Sequence, residues 1–169
     1  MKKAKMIALL KEELEAERIE AEENNREEKK VIMYFKYEKD NEVFVGNSCC
    51  LFCLDRNLIP VKRSKCFLLP DSITKHIVEE VEGSDLVQII KRAEIKENHD
   101  DYKTLSVFEL ENDPDGSLGF HFYLNKKYCD LFSDKAIYKT VFSKNFHHRS
   151  FIYVFENDKF VGLILQVKR

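Results

Sequence analysis

The last third of the chain, residues 120–169, is the segment that most restricts the fold. It opens on an alternating pattern in which Phe120, Phe122 and Leu124 share one strand face and His121 lies on the other. A short helix is predicted next, starting at Asn125. Three strands follow, predicted at residues 137–142, 151–155 and 160–167, with a tight hairpin turn at residues 156–158. The segment therefore predicts a strand, a helix extending to residue 132 and three further strands.

The first 30 residues have a different pattern. Residues 2–30 are predicted to form one helix, because they are rich in Ala, Glu, Lys and Leu and contain no Gly or Pro. Ile7, Leu10 and Leu14 form an apolar stripe of about two turns. The rest of the segment is nearly all polar, so the first half of the helix should pack on the protein and the acidic second half should face solvent or a partner. A coiled-coil arm is an alternative, although no heptad is sustained.

From residue 31 the apolar residues follow the two-residue period of strands. Strands are predicted at residues 31–37, 42–45, 49–54, 65–69, 86–95 and 104–110. Between them, Ile73, Ile77 and Val81 are spaced for one face of a helix that ends at Gly83. The order is α-βββ, β-α-ββ and β-α-βββ. We expect an α+β fold with antiparallel sheets and helices on one face, divided into a charged helix, 1–29, and an α+β domain, 30–169.

Composition restricts the compartment and the kind of partner. Charged residues make up 34% of the 169 residues, but the net charge is only −2. Any contact with nucleic acid must therefore come from a local patch. The five cysteines are an odd number, lie among apolar residues and have no secretory signal ahead of them. No apolar run approaches the ~20 residues of a membrane span. The sequence predicts a cytoplasmic protein.

Three short segments resemble DNA sliding clamps of the bacterial type. They are residues 122–128 (FYLNKKY), residues 67–70 (FLLP) ahead of a helix, and residues 161–169 (VGLILQVKR). The resemblance spans residues 30–169. Gln166 stands where the family usually has Pro, and the chain is about half as long as a bacterial clamp subunit. Such a ring has twelve half-units, so three per chain would imply self-association of four chains.

The resemblance implies a non-enzymatic protein that encircles double-stranded DNA and holds a polymerase, with no cofactor. The DNA contacts would come from helix lysines, namely Lys75, Lys126 and Lys127. The pocket for a polymerase peptide would be formed by Ser48, Cys49, Leu51, Leu165, Gln166 and Val167.

Other interpretations stay open. A phage or mobile-element protein could use the acidic helix to inhibit or recruit a host protein. A small metal-dependent nuclease could use His147 and His148, although no set of carboxylates stands out beside them. A zinc site could use Cys50, Cys53, Cys66 and His76, but the apolar residues around the cysteines favour buried thiols.

Overall fold

The computed structural model describes residues 1–97, 103–113, 115, 117–142 and 151–168. Within these ranges the helices are α1 (Lys3–Glu23), α2 (Asp71–Glu82) and α3 (Lys126–Cys129). The strands are β1 (Met33–Tyr37), β2 (Glu42–Gly46), β3 (Cys50–Cys53), β4 (Phe67–Leu68), β5 (Leu86–Lys96), β6 (Thr104–Leu110), β7 (His121–Asn125), β8 (Ile137–Val141), β9 (Phe151–Glu156) and β10 (Lys159–Leu165). The α+β class with an N-terminal helix is confirmed, and the elements follow the predicted order.

The chain divides into two compact units. The first comprises Lys2–Val78, and the second comprises the residues from Glu79 onward together with Met1. Helix α1 belongs to the first unit, as do strands β1–β4.

The strands of the first unit are ordered β4-β1-β2-β3. The β1–β2 and β2–β3 pairs are antiparallel, but β4 is parallel to β1, with Met33 opposite Phe67. The expectation of purely antiparallel pairing was therefore wrong at β4. A parallel pair needs a crossover, and here the chain between β1 and β4 is residues 38–66, which include β2 and β3. Strand β4 lies at one end of this strand order and is an edge strand.

The core of the first unit includes an aromatic cluster of Phe35, Tyr37 and Phe44, with ring centroids 5.8–6.2 Å apart. The α1 residues that are buried are Met6, Leu9, Leu10, Glu17 and Ala21. The predicted stripe of Ile7, Leu10 and Leu14 was thus only partly right. The buried face is rotated relative to that stripe and includes a carboxylate, which an apolar pattern could not reveal.

Helix α1 ends at Glu23, so its predicted extension to residue 30 was wrong. Asn25 has a left-handed backbone (φ 49°), and its amide donates to the Glu22 carbonyl at 3.2 Å. The Arg26 amide donates to the Ala21 carbonyl at 3.0 Å. These two bonds form a Schellman motif, which satisfies the last carbonyls and turns the chain away.

The second unit is a six-stranded antiparallel arrangement in the order β10-β9-β8-β5-β6-β7. Beyond β10, the Val167 amide donates to the Tyr123 carbonyl in β7 at 2.8 Å. The Gln166 Nε2 atom lies 3.4 Å from the His121 carbonyl oxygen. The residues that follow β10 therefore contact β7, the strand at the other end of the order in this unit.

Local turn chemistry behaves as predicted in this unit. Asn157 and Asp158 both have positive φ, 50° and 61°, as expected for a tight hairpin turn between β9 and β10. The Asn125 side chain caps α3 by accepting the Lys127 amide at 3.1 Å. Helix α3 is only four residues long, shorter than the segment predicted to end at residue 132.

In the ranges described, no helix is long and apolar enough to cross a bilayer.

Candidate anion-binding site

The connection between β3 and β4 is positively charged, whereas the chain as a whole is slightly negative. It carries four cations, Arg56, Lys62, Arg63 and Lys65, and residues 56–70 contain no acidic side chain. The chain as a whole has a net charge of −2. The local field of this segment is therefore positive, and it attracts anions.

Two single turns of 3₁₀ helix, Arg56–Leu58 and Arg63–Lys65, order this connection. The Lys65 amide donates to the Lys62 carbonyl at 2.8 Å, and the Leu58 amide donates to the Asp55 carbonyl at 2.9 Å. Asp55 is also ion-paired with Lys3 of α1 at 2.7 Å. The backbone of the basic segment is thus ordered by its own turns, and the exposed Lys3–Asp55 pair adds little to it.

The basic segment and β1 together line a pocket of about 290 Å³. Tyr34 and Lys36 are two residues apart on β1 and so project from the same face of the strand. The lining residues are Tyr34, Lys36, Arg56, Ile59, Val61, Arg63 and Cys66. Three of these seven side chains are cationic and none is a carboxylate or a histidine.

The cations of the pocket differ in how they are held. The Arg63 guanidinium lies 5.3 Å from the centre of the Tyr34 ring, a cation–π contact that orders it. Lys36 Nζ lies 3.1 Å from Glu38 Oε2, but the Glu38 side chain is 78% exposed, so solvent screens this pair. In the described ranges no acidic side chain pairs with Arg56 or Arg63. The pocket therefore retains most of its positive charge.

Cys66 lies in the pocket wall and is almost fully buried. Its Sγ lies 3.6 Å from the Lys62 carbonyl oxygen. Burial raises the pKa of the Cys66 thiol, against an opposing effect of the Lys30 charge. The sulfur is therefore a neutral thiol near pH 7 rather than a nucleophilic thiolate. The pocket offers groups that bind an anion, and its chemistry suits phosphate or carboxylate oxygens.

The helix lysines predicted to contact DNA lie in different electrostatic settings. Lys126 Nζ is 3.0 Å from Asp130 Oδ1 and 3.4 Å from Glu94 Oε1, so its charge is offset. Lys127 Nζ lies 5.3 Å from the centre of the Tyr128 ring. Lys75 is exposed on α2, a helix that also carries several glutamates. A DNA role for these three lysines stays a prediction.

The residues predicted to form a peptide pocket fall into two groups. Ser48 and Cys49 are exposed in the turn between β2 and β3, whereas Leu51 is 4% exposed in the core of the first unit. Leu165, Gln166 and Val167 are half-buried at the end of the second unit. None of the six lines the basic pocket, and their peptide-binding role also stays a prediction.

The thiol prediction is confirmed for Cys50, Cys53 and Cys66, which are buried, but Cys49 is exposed. Cys53 Sγ donates to Glu42 Oε2 at 3.0 Å. Within the described ranges, no three side chains of the ligating types His, Cys, Asp or Glu cluster around a common metal position.

The histidines noted in the sequence lie in different places. His76, a candidate zinc ligand, is exposed on α2. His121, predicted on the strand face opposite Phe120 and Phe122, is exposed, and its Nε2 atom lies 3.0 Å from Glu109 Oε1. His147 and His148, the candidates for a nuclease, lie outside the described residues.

Sequence reasoning missed the basic pocket. The signal was present in part, since an acid-free run with four cations is unusual in a chain of net negative charge. The contribution of Tyr34 and Lys36 could not be read from the sequence. It depends on the connection from β3 to β4 passing beside β1.

Comparison with known proteins finds no family model that matches the chain, and no similar curated protein or solved structure.

Proposed function

We propose that the protein is a non-enzymatic binding protein that holds the phosphate backbone of double-stranded DNA at the basic pocket. The observation that carries this proposal is the group of cations at Arg56, Arg63 and Lys36 around one pocket, with little acidic charge to offset them. Phosphate contacts are driven by charge and do not depend on base sequence.

The types of side chain support binding rather than catalysis. Arginine presents a planar fork of donors that matches two phosphate oxygens, and the contact with Tyr34 restricts the motion of Arg63. Lys62 and Lys65 are exposed beside the pocket and can contact further phosphates of the same strand. A duplex lying across this segment would meet several cations in succession.

The test is fluorescence anisotropy with a labelled duplex of about 20 base pairs at roughly 50 and 200 mM salt. The double variant Arg56→Glu with Arg63→Glu should bind at least about tenfold more weakly, with a salt slope reduced by about 2. A double variant with the same charge change at exposed sites, Lys11→Glu with Lys39→Glu, is the control. If the pocket variant binds as well as this control, or the parent does not bind the duplex, the proposal is wrong.

The same assay separates the pocket from the helix lysines. If Lys75→Glu and Lys127→Glu abolish binding while the pocket variant retains it, DNA is held by the helices. That result would favour the contact expected from the clamp resemblance and would contradict the pocket.

A clamp-like replication factor that self-associates and engages a polymerase is the second candidate. It is favoured by the succession of a strand, a helix and three strands over residues 121–165. Light scattering across micromolar concentrations at low salt tests it. A discrete oligomer of four chains would support a ring, whereas a monomer would exclude a ring assembled from this chain alone.

A further inference from the structure

Strand β4 presents an open backbone edge. Its pairing with β1 uses the Phe67 amide, which donates to the Ile32 carbonyl at 2.8 Å, and the Leu69 amide, which donates to the Tyr34 carbonyl at 3.1 Å. Successive residues of a strand direct their amide and carbonyl groups to opposite sides. The Leu68 amide and carbonyl therefore face away from β1. Since β4 is last in the strand order, no strand of the described ranges pairs with that side.

Large apolar side chains are exposed in β4, one on each face of the strand, and in the first turn of α2 that follows it. Phe67 is 44% exposed, Leu68 is 50% exposed, and Ile73 in the first turn of α2 is 38% exposed. We name these three residues the edge patch. A single exposed apolar residue is ordinary, but three within seven residues beside an unpaired strand edge are typical of an interaction site.

The charges next to the edge patch indicate what kind of partner it suits. Lys62 and Lys65 immediately precede β4, are exposed and do not line the basic pocket. No acidic residue lies between positions 56 and 70, and Asp71 at the start of α2 is the first carboxylate after this basic run. A segment that pairs with β4 would run beside these cations, so acidic side chains would complement the surface and basic ones would be repelled.

We propose that β4 binds an extended, acidic and apolar peptide segment of a partner protein by strand addition. Its backbone pairs with the outward amide and carbonyl of Leu68. Its apolar side chains contact those residues of the edge patch that lie on the same face of the sheet, and its acidic side chains face Lys62 and Lys65. This proposal goes beyond DNA binding, and it rests on the strand edge and the edge patch rather than on the basic pocket.

The probe is a fluorescein-labelled peptide of about ten residues in which valine and glutamate alternate. Anisotropy should show saturable binding to the full chain. A peptide with the same sequence but with every backbone nitrogen methylated cannot donate along either side, and it should bind at least about tenfold more weakly. A valine–lysine peptide of equal length should also lose binding. Failure of the valine–glutamate peptide to bind, or equal binding of the methylated peptide, overturns the proposal.

A variant pair tests the edge on the protein side. Leu68→Pro removes the outward amide and leaves the two amides that pair with β1, whereas Leu68→Ala keeps every amide. The proline variant should bind the peptide at least about tenfold more weakly than the alanine variant. Equal binding by the two contradicts strand addition.

Circular dichroism and thermal unfolding check that Leu68→Pro folds. If Leu68→Pro does not fold, the Ile73→Ser variant tests the proposal instead. Ile73 lies outside the strand, and its replacement by serine should weaken peptide binding because an apolar contact is lost. Undiminished binding by Ile73→Ser would then reject the edge patch.

Discussion

The Glu17 carboxylate on α1 accepts a hydrogen bond from the Arg26 guanidinium at 2.5 Å, across the end of the helix. It also accepts the Lys29 backbone amide at 2.7 Å. The Glu17 side chain is 7% exposed, and these contacts satisfy it. The Arg26 contact, followed by the Lys29 amide, lowers the pKa of Glu17 to about 2. One carboxylate therefore holds the segment that leads from α1 towards β1.

Replacing Glu17 by Gln should lower the thermal unfolding temperature at pH 7, because the charge that pairs with Arg26 is lost. Since the pKa is about 2 in the folded state and about 4.5 in the unfolded chain, the stabilisation is complete above pH 4.5 and fades as the pH falls towards 2. The difference in unfolding temperature between parent and variant should shrink over that interval. Glu23→Gln, at an exposed position on the same helix, is the control. A pH-independent difference would contradict the ionic role of Glu17.

Substitutions at Asn25 should show how much its left-handed backbone conformation, at the end of α1, selects for asparagine or glycine at this position. Asn25→Gly should be neutral or slightly stabilising, because glycine adopts φ 49° without steric cost. Asn25→Ala should lower the free energy of unfolding by about 1 kcal/mol. Urea denaturation of the two variants measures the difference. Equal stability of the glycine and alanine variants would show that the backbone conformation is not what selects Asn25.

Gly46 should not tolerate a side chain. A Cβ atom at this position would lie 1.8 Å from the Cys50 carbonyl oxygen. That carbonyl is held in place because it accepts the Asn47 amide at 3.0 Å. Gly46→Ala should therefore cost on the order of 3 kcal/mol of unfolding free energy.

The control for Gly46→Ala is Gly119→Ala. A Cβ there meets no atom within 4 Å, and only the positive φ of 68° opposes it. Its cost should be about 1 kcal/mol. Chemical denaturation measures both variants, and a Gly46→Ala penalty no larger than that of Gly119→Ala would be inconsistent with the close approach of Cys50.

The Tyr153 hydroxyl donates to the Glu80 carboxylate, joining β9 to the last turn of α2, which belongs to the second unit. Burial, together with this bond, raises the pKa of Tyr153, so the hydroxyl stays protonated. Tyr153→Phe should lower the unfolding free energy by about 1–2 kcal/mol, because Glu80 loses a donor. Glu80→Gln keeps an acceptor and should cost less. Thermal unfolding of both variants at neutral pH checks this order, and a larger cost for Glu80→Gln would contradict it.

Much of the fold was accessible from the sequence because its signals are local. The predicted segments 86–95 and 104–110 correspond to β5 and β6, and α2 ends at Glu82, next to Gly83, as predicted. Strand alternation, helical spacing and turn residues act between neighbours in the chain. These signals set the type and order of the elements.

Contacts between distant residues were decided only by the tertiary structure. The same strand pattern allows β4 to pair in either direction and with several neighbours, so its parallel pairing with β1 could not be inferred. Burial of Glu17 became favourable only once the chain reversal had brought Arg26 and Lys29 beside it.

The basic pocket depends on the same kind of contact. The sequence by itself determined that residues 56–65 are basic and that Tyr34 and Lys36 share a strand face. Only the path of the chain from β3 to β4 placed these groups around one pocket. The physical reason is that charge and periodicity are properties of short segments. A binding site requires side chains from separate segments, and their proximity is set by how the whole unit packs.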